Sequence, residues 1–145
     1  MVDTMPGPSS QLSALLPGAD LLVTVLLADA ASVSLITTVD SRAAYGRHHP
    51  AARVAFVLNQ IDPRTRLGPA ITQAATAHLG KRVLGTIRRD EWAGESAAAQ
   101  KLIAEYAPNA RSAHDIALVA RAIAARLARA DTRSEPREQL AGADA

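Results

Sequence analysis

Arg53-Val54-Ala55-Phe56-Val57-Leu58-Asn59-Gln60-Ile61-Asp62-Pro63-Arg64 reads as a strand that runs into a turn. Val54, Phe56, Val57 and Leu58 give the strand, over Arg53–Gln60, its apolar body. Asp62-Pro63-Arg64 then redirects the chain, because Pro presets φ for a turn and Asp bonds its own backbone. Leu67, Ile71, Ala74, Ala75 and Leu79 follow on one helical face, and Gly80 supplies the stop. A strand, a turn and a helix in that order form the repeating unit of a parallel sheet.

The same unit recurs on both sides. Upstream, Asp20 to Ala28 is a strand whose apolar run is nearly continuous, as a strand covered on both faces requires. Asp29-Ala30-Ala31-Ser32 opens a helix through Val33, Ile36 and Val39 to about Ala44, and Gly46-Arg47-His48-His49-Pro50 is a loop. Before these, Ser9 or Ser10 caps a short helix through Leu12, Leu15 and Leu16 that Pro17-Gly18 ends, and only Met1-Val2 could close an earlier strand. Downstream, Val83 to Ile87 is a third strand, Glu91 to about Ile103 a helix, and Pro108 a break. Ser112 and Asp115 form a capping-box-like start for the last helix. Ile116, Val119, Ile123 and Leu127 recur along it, with Arg126 and Arg129 near the negative end of its dipole. The fold class expected is α/β, a partial parallel sheet flanked by helices, over residues 1–130, with a disordered tail over 131–145.

Composition narrows the function. With 145 residues the chain can bury one core, and with no cysteine it has neither disulfides nor thiolate chemistry. A net charge of +2, with no basic cluster on one face, is a poor footprint for nucleic acid. Leu21 to Ala28 is too short to cross a bilayer and no signal peptide precedes it, so the expected location is the cytoplasm. His48-His49, His78 and His114 lack a chelating spacing. No Gly-x-x-x-x-Gly-Lys-Ser/Thr segment exists, and the two lysines, Lys81 and Lys101, sit outside any Gly-rich loop.

Three segments at strand ends could carry chemistry, because open α/β sheets bind ligands at the carboxyl ends of their strands. Asp3, before Met5-Pro6-Gly7, could hold a Mg²⁺-bound water, or be part of a plain turn. In Asn59-Gln60-Ile61-Asp62 the Asn amide offers a donor and an acceptor to a purine edge, and Asp62 would favour guanine. The same four residues also read as the end of a strand and the start of a turn. Ile87-Arg88-Arg89-Asp90-Glu91 could close over a base or ribose, or be a solvated loop with local ion pairs.

Taken in order, these segments resemble the MinD/ParA-type P-loop ATPases. Asp3-Thr4-Met5-Pro6-Gly7 is similar to their Asp-Thr-Pro-Pro-Gly switch, with Met5 in place of a Pro. Ala19–Val23 with Leu26–Ser32, Val57–Arg64, Ile87–Glu91 and Glu105–Pro108 resemble the cellulose-biosynthesis branch, BcsQ (YhjQ), across about residues 2–128. The resemblance implies a MinD/ParA-like fold lacking its N-terminal strands and phosphate-binding loop. It assigns nucleotide contacts to Asp3, Asn59, Gln60, Asp62 and Asp90, with Asp3 near Mg²⁺ through water in an intact domain. It further implies ATP and Mg²⁺ as the family's ligands, an ATP-dependent homodimer, and the cellulose synthase and secretion complex as partner, with any inner-membrane contact made through that partner. Without the front half the expected state is a fragment inactive as an ATPase, with an apolar edge along Leu21–Ala28 open to another chain. The alternatives are a non-catalytic α/β interaction module and a fragment of a ParA-type partitioning ATPase, with a GTPase reading of Asn59–Asp62 as a variant.

Overall fold

A computed structural model describes residues 1–5, 9–32, 34, 36 and 53–134, the last five by backbone alone. Helix α1 spans Ser10–Leu15, capped by Ser9, whose side chain accepts from the Leu12 amide, and a 3-10 turn through Leu16–Gly18 ends it. Then come β1 (Leu22–Leu27), β2 (Val54–Ile61), α2 (Leu67–Leu79), β3 (Val83–Arg88), α3 (Glu91–Ala98), α4 (Ile103–Tyr106) and α5 (Arg111–Ser134). The strands form a parallel sheet in the order β1-β2-β3, as the alternation of strand and helix in the sequence requires.

β2 is the centre of the core because its residues are covered on both faces. Val54, Ala55, Phe56, Val57 and Leu58 are all buried. One face of β2 (Val54, Phe56, Leu58) meets Leu26, Ile36, Ala75 and Leu79, with Leu22, Ala28 and Val83 at its rim. On the other side of the sheet α5 lies along β3 so closely that a Cβ on Gly85 would come within 3.0 Å of a Val119 methyl. The Arg82 guanidinium stands 5.6 Å from the centre of the Phe56 ring, closing the core at the start of β3.

Several boundaries differ from the sequence reading, each for a physical reason. β1 is shorter than Asp20–Ala28, since Asp20 lies in a bend and Ala28 in the turn after the strand. Met1–Met5 are exposed and carry no regular structure, so no strand end lies there. The α2 core face is Gly68, Ile71, Ala75 and Leu79, and Leu67 points out. Glu91–Ile103 is two helices: Gln100, with φ of 53°, takes the left-handed position and ends α3, with the Lys101 amide donating to the Ser96 carbonyl. Trp92 on α3 and Tyr106 on α4, 6.2 Å apart, join the two pieces.

Helix α5 begins at Arg111, so Ser112 and Asp115 are not its capping box; both are buried and serve partners outside the helix. Because α5 continues to Ser134, Arg126 lies well inside it, and its guanidinium donates to the Lys81 carbonyl instead of facing the helix end. Asp29 does cap a helical start, accepting from the Ser32 amide at 2.7 Å. Residues 30–32, 34 and 36 of that expected helix are helical; its other residues, the loop with His48-His49 and the tail from residue 135 lie outside the described residues. Among the described residues no helix is long and apolar enough to cross a membrane.

Candidate functional site

The carboxyl ends of β2 and β3 come together at one edge of the sheet. β2 carries an irregularity there: Leu58 pairs with Thr86 and Ile61 with Arg88, so Asn59 and Gln60 both face the single residue Ile87. Gln60 takes φ of 58°, a left-handed conformation uncommon for a residue with a Cβ. Bulges of this kind re-aim side chains and occur beside active sites. The Gln60 amide donates to Asn59 Oδ1 at 2.9 Å, and the Asn59 carbonyl accepts from the Ala28 amide, which ties the end of β1 to the same place. Asn59 is half-buried, and its Nδ2 has no acceptor among the described residues.

Asp62 follows the bulge, and its carboxylate is occupied. Oδ1 accepts from the Arg64 amide and Nε, and Oδ2 from the Arg64 guanidinium at 2.9 Å. Hydrogen bonds from Arg64 hold the carboxyl at about 2, below its ordinary 3.8. The Asp62 carbonyl accepts from the Thr65 hydroxyl, which in turn accepts from the Gly68 amide and so starts α2. This turn and α2 are packed so tightly that a Cβ on Gly68 would lie 2.5 Å from the Asp62 carbonyl oxygen.

The β3 end reaches the same edge, with the Arg89 amide donating to the Ile61 carbonyl at 2.9 Å. It is a braced terminus, unlike a solvated loop. Asp115 accepts from the Arg88 backbone amide and binds its guanidinium in a two-pronged pair at 2.8 and 2.7 Å. Hydrogen bonding to Arg88 holds the Asp115 carboxyl below the usual carboxylate range, against the opposing effect of burial. Asp90 caps two helices at once. Its Oδ1 accepts from the Trp92 amide of α3, and its Oδ2 from the Ser112 amide and hydroxyl of α5. Those bonds, led by the Ser112 amide, lower its pKa.

The structure therefore gathers Asn59, Gln60, Asp62 and Asp90 at one sheet edge. Asp3 is exposed in an irregular segment, and nothing among the described residues hydrogen-bonds or pairs with it. An open groove of about 690 Å³ runs between α2 and the ends of β2 and β3, lined by Ile61, Pro63, Thr72, Thr76, Thr86 and Arg88 among others; none of the five candidate residues lines it. Arg88, from the third candidate segment, and Asp115, which the sequence reading gave to a capping box, organise this edge. Their pairing crosses 27 positions, which no local pattern reveals.

The family model for cellulose biosynthesis protein BcsQ matches residues 1–123. The chain belongs to the BcsQ family. A comparison with curated proteins finds no match. The match spans β1 to most of α5, so the bulge, the Asp62 turn and the braced β3 end are all part of a BcsQ-type domain.

The fit of ATP and Mg²⁺, the ligands expected of a P-loop ATPase, can be tested against these residues. Asn59 fits a base edge, since Nδ2 is available to donate and Oδ1 keeps a second lone pair beside the Gln60 amide. Asp62 and Asp90 do not fit as free ligands, because both oxygens of each are bonded to protein groups. The described residues hold no cluster of three or more acidic, His or Cys side chains around a metal position, and the sequence has no Gly-rich loop bearing a Lys to hold phosphates.

Proposed function

We propose that these residues form the base-reading side of the nucleotide pocket of a cellulose-biosynthesis ATPase, with Asn59 as the adenine contact. The observation that supports this reading is the Asn59–Gln60 bulge. It sets a half-buried amide, whose Nδ2 has no acceptor among the described residues, at the carboxyl end of the central strand, where α/β sheets take ligands. An Asn side chain pairs with the amino group and an adjacent ring nitrogen of adenine. Guanine would need the Asp62 carboxylate, which Arg64 already occupies, so the reading favours ATP over GTP.

The phosphate-gripping group is not among these 145 residues, so this polypeptide alone is expected to bind ATP weakly and not to hydrolyse it. The reading places its action with the cellulose synthase and secretion machinery, in line with the family's description. A second reading, a non-catalytic interaction module, draws support from the commitment of Asp62 and Asp90 to local structure.

Saturation-transfer NMR with ATP and GTP separates the two. The base-reading function predicts saturation at the adenine protons, weakened about three- to tenfold by Asn59→Ala, as the loss of one hydrogen-bonding group would give. Equal signals from wild type and variant, or none from either, would favour the interaction module. Nucleotide-stimulated phosphate release by the purified chain would contradict the hydrolysis expectation.

A further inference from the structure

Helices α3 and α4 meet in an aromatic corner at the surface. Trp92 stands in the first turn of α3 and Tyr106 at the end of α4, their ring centres 6.2 Å apart and their planes tilted by 57°. That contact joins the helices but covers only part of each ring: Trp92 is 48% exposed and Tyr106 37%. Leu102, whose carbonyl accepts the Tyr106 amide, is 69% exposed. Exposed patches mark interaction sites, and Trp and Tyr are prominent among the side chains that anchor them.

Both rings are held in place. The Trp92 amide donates to Asp90 at 3.2 Å, which fixes the first turn of α3, and the Tyr106 hydroxyl donates to Glu95 Oε2 at 3.4 Å. Glu95 lies three residues after Trp92, so the two are neighbours on the helix surface. Its other oxygen, Oε1, has no partner among the described residues, and no cation there pairs with Glu95. Residues 91–110 carry three carboxylates, Glu91, Glu95 and Glu105, against one cation, Lys101, in a chain whose net charge is +2. Arg64, whose pKa is raised mainly by its hydrogen bond to Asp62, also feels the charge of Glu91, so Glu91 serves that side. Glu95 is the carboxylate of the corner.

Rings beside an unpaired carboxylate select a cation. The face of an aromatic ring is electronegative and attracts a positive group within about 6 Å of its centre, Trp most of all. A guanidinium suits this corner better than an ammonium. It is flat and stacks on a ring, while its N–H groups point outward in its own plane towards a carboxylate beside that ring. An ammonium is compact and strongly hydrated, and has no flat face to stack. A purely apolar segment would cover Glu95 without giving it a partner.

We propose that the Trp92–Tyr106 corner docks an arginine side chain of a partner protein, its guanidinium lying on the Trp92 ring and donating to Glu95. Leu102 offers apolar surface to the residues that flank this arginine. The site uses neither Asn59 nor the bulge, so it stands whether or not the nucleotide reading does.

Trp92 is the single tryptophan of the chain, so its fluorescence reports the corner directly. The probe is the acetylated and amidated peptide Gly-Leu-Arg-Leu-Gly, compared with the same peptide carrying citrulline, which keeps the shape and loses the charge. The arginine peptide should shift Trp92 emission saturably at millimolar concentration, and the citrulline peptide should bind about tenfold more weakly or less tightly still. Added salt should weaken only the arginine peptide. Glu95→Gln should cost about three- to tenfold in affinity for the arginine peptide, with an unchanged circular dichroism spectrum. Equal binding of the two peptides, no saturable response to either, or indifference to Glu95→Gln would overturn the proposal. So would an emission that shifts with the concentration of the chain alone, which would make a second copy the occupant. A response to phosphatidylcholine vesicles as large as that to the arginine peptide would assign the corner to a lipid headgroup, and would overturn it too.

Discussion

β3 and β1 flank the same central strand and are finished in opposite ways. At the end of β3, Asp115 holds both the backbone and the guanidinium of Arg88, and two residues later Asp90 closes the first turns of α3 and α5. Across the sheet, β1 presents an uncharged edge with Val25 and Leu27 in solvent. Chemistry-bearing side chains at the β3 end are used to fix helices in place, whereas among the described residues the outer edge of β1 has no strand beside it. A polar cluster at a strand end can thus be architecture.

The sharpest way to break this contrast is at Arg88. Arg88→Ala leaves the Asp115 carboxylate, 8% exposed, without its guanidinium, and removal of one partner from a buried pair costs more than the pair was worth. Because Arg88 itself is partly solvated, the expected loss is about 2–3 kcal/mol, below the range for a fully buried pair. Urea unfolding measures it. A loss within error of zero would make the β3 brace ornamental and remove the distinction between the two flanks.

Glycines sharpen the comparison next. Gly68→Ala puts a Cβ 2.5 Å from a backbone oxygen of the Asp62 turn, an atom that cannot move aside without shifting α2. Ala is the better helix former by about 1 kcal/mol, yet the clash should win and destabilise by about 1–3 kcal/mol. Gly94→Ala in α3, with nothing within 4 Å of the added Cβ, should instead stabilise by up to about 1 kcal/mol. Opposite signs in thermal unfolding are expected from the two changes. A stable Gly68→Ala protein would show that the Asp62 turn can yield, and with it the seating of the neighbouring bulge.

What the sequence makes legible follows from range. The three strands, their parallel pairing and the 67–79 helix rest on apolar runs and periodicity within a dozen residues, and all appear in the fold. At the candidate site the reading put Asn59 and Asp90 at strand ends, where the structure has them, but did not reach their bonding. Asp90 precedes Glu91-Trp92 as a helix cap would, a signal available locally, while its second helix is 22 residues away. The left-handed turns at Gln60 and Gln100 have no glycine to announce them. Ser112 and Asp115 imitate a capping box by spacing alone, because tertiary partners took both side chains.

The smallest effect lies in acid. Asp62, Asp90 and Asp115 all have lowered pKa values, Asp62 to about 2 from 3.8. A carboxyl more acidic in the folded chain adds stability that is fully present above its unfolded value. That stability is lost as pH falls through the folded one. The unfolding midpoint in urea should therefore stay level above about pH 5 and decline from about pH 4 towards 2. Asp115→Asn should flatten that decline and also lower stability at neutral pH, because a buried partner of Arg88 is lost. Asp62→Asn should flatten it only slightly and leave the neutral midpoint in place, since the Arg64 side chain is 85% exposed and surface pairs contribute little. If Asp62→Asn instead lowered the neutral midpoint as far as Arg88→Ala, the Asp62 turn would be as structural as the β3 brace. Asn59 would then sit on a second fixed support, with the bulge held from both sides.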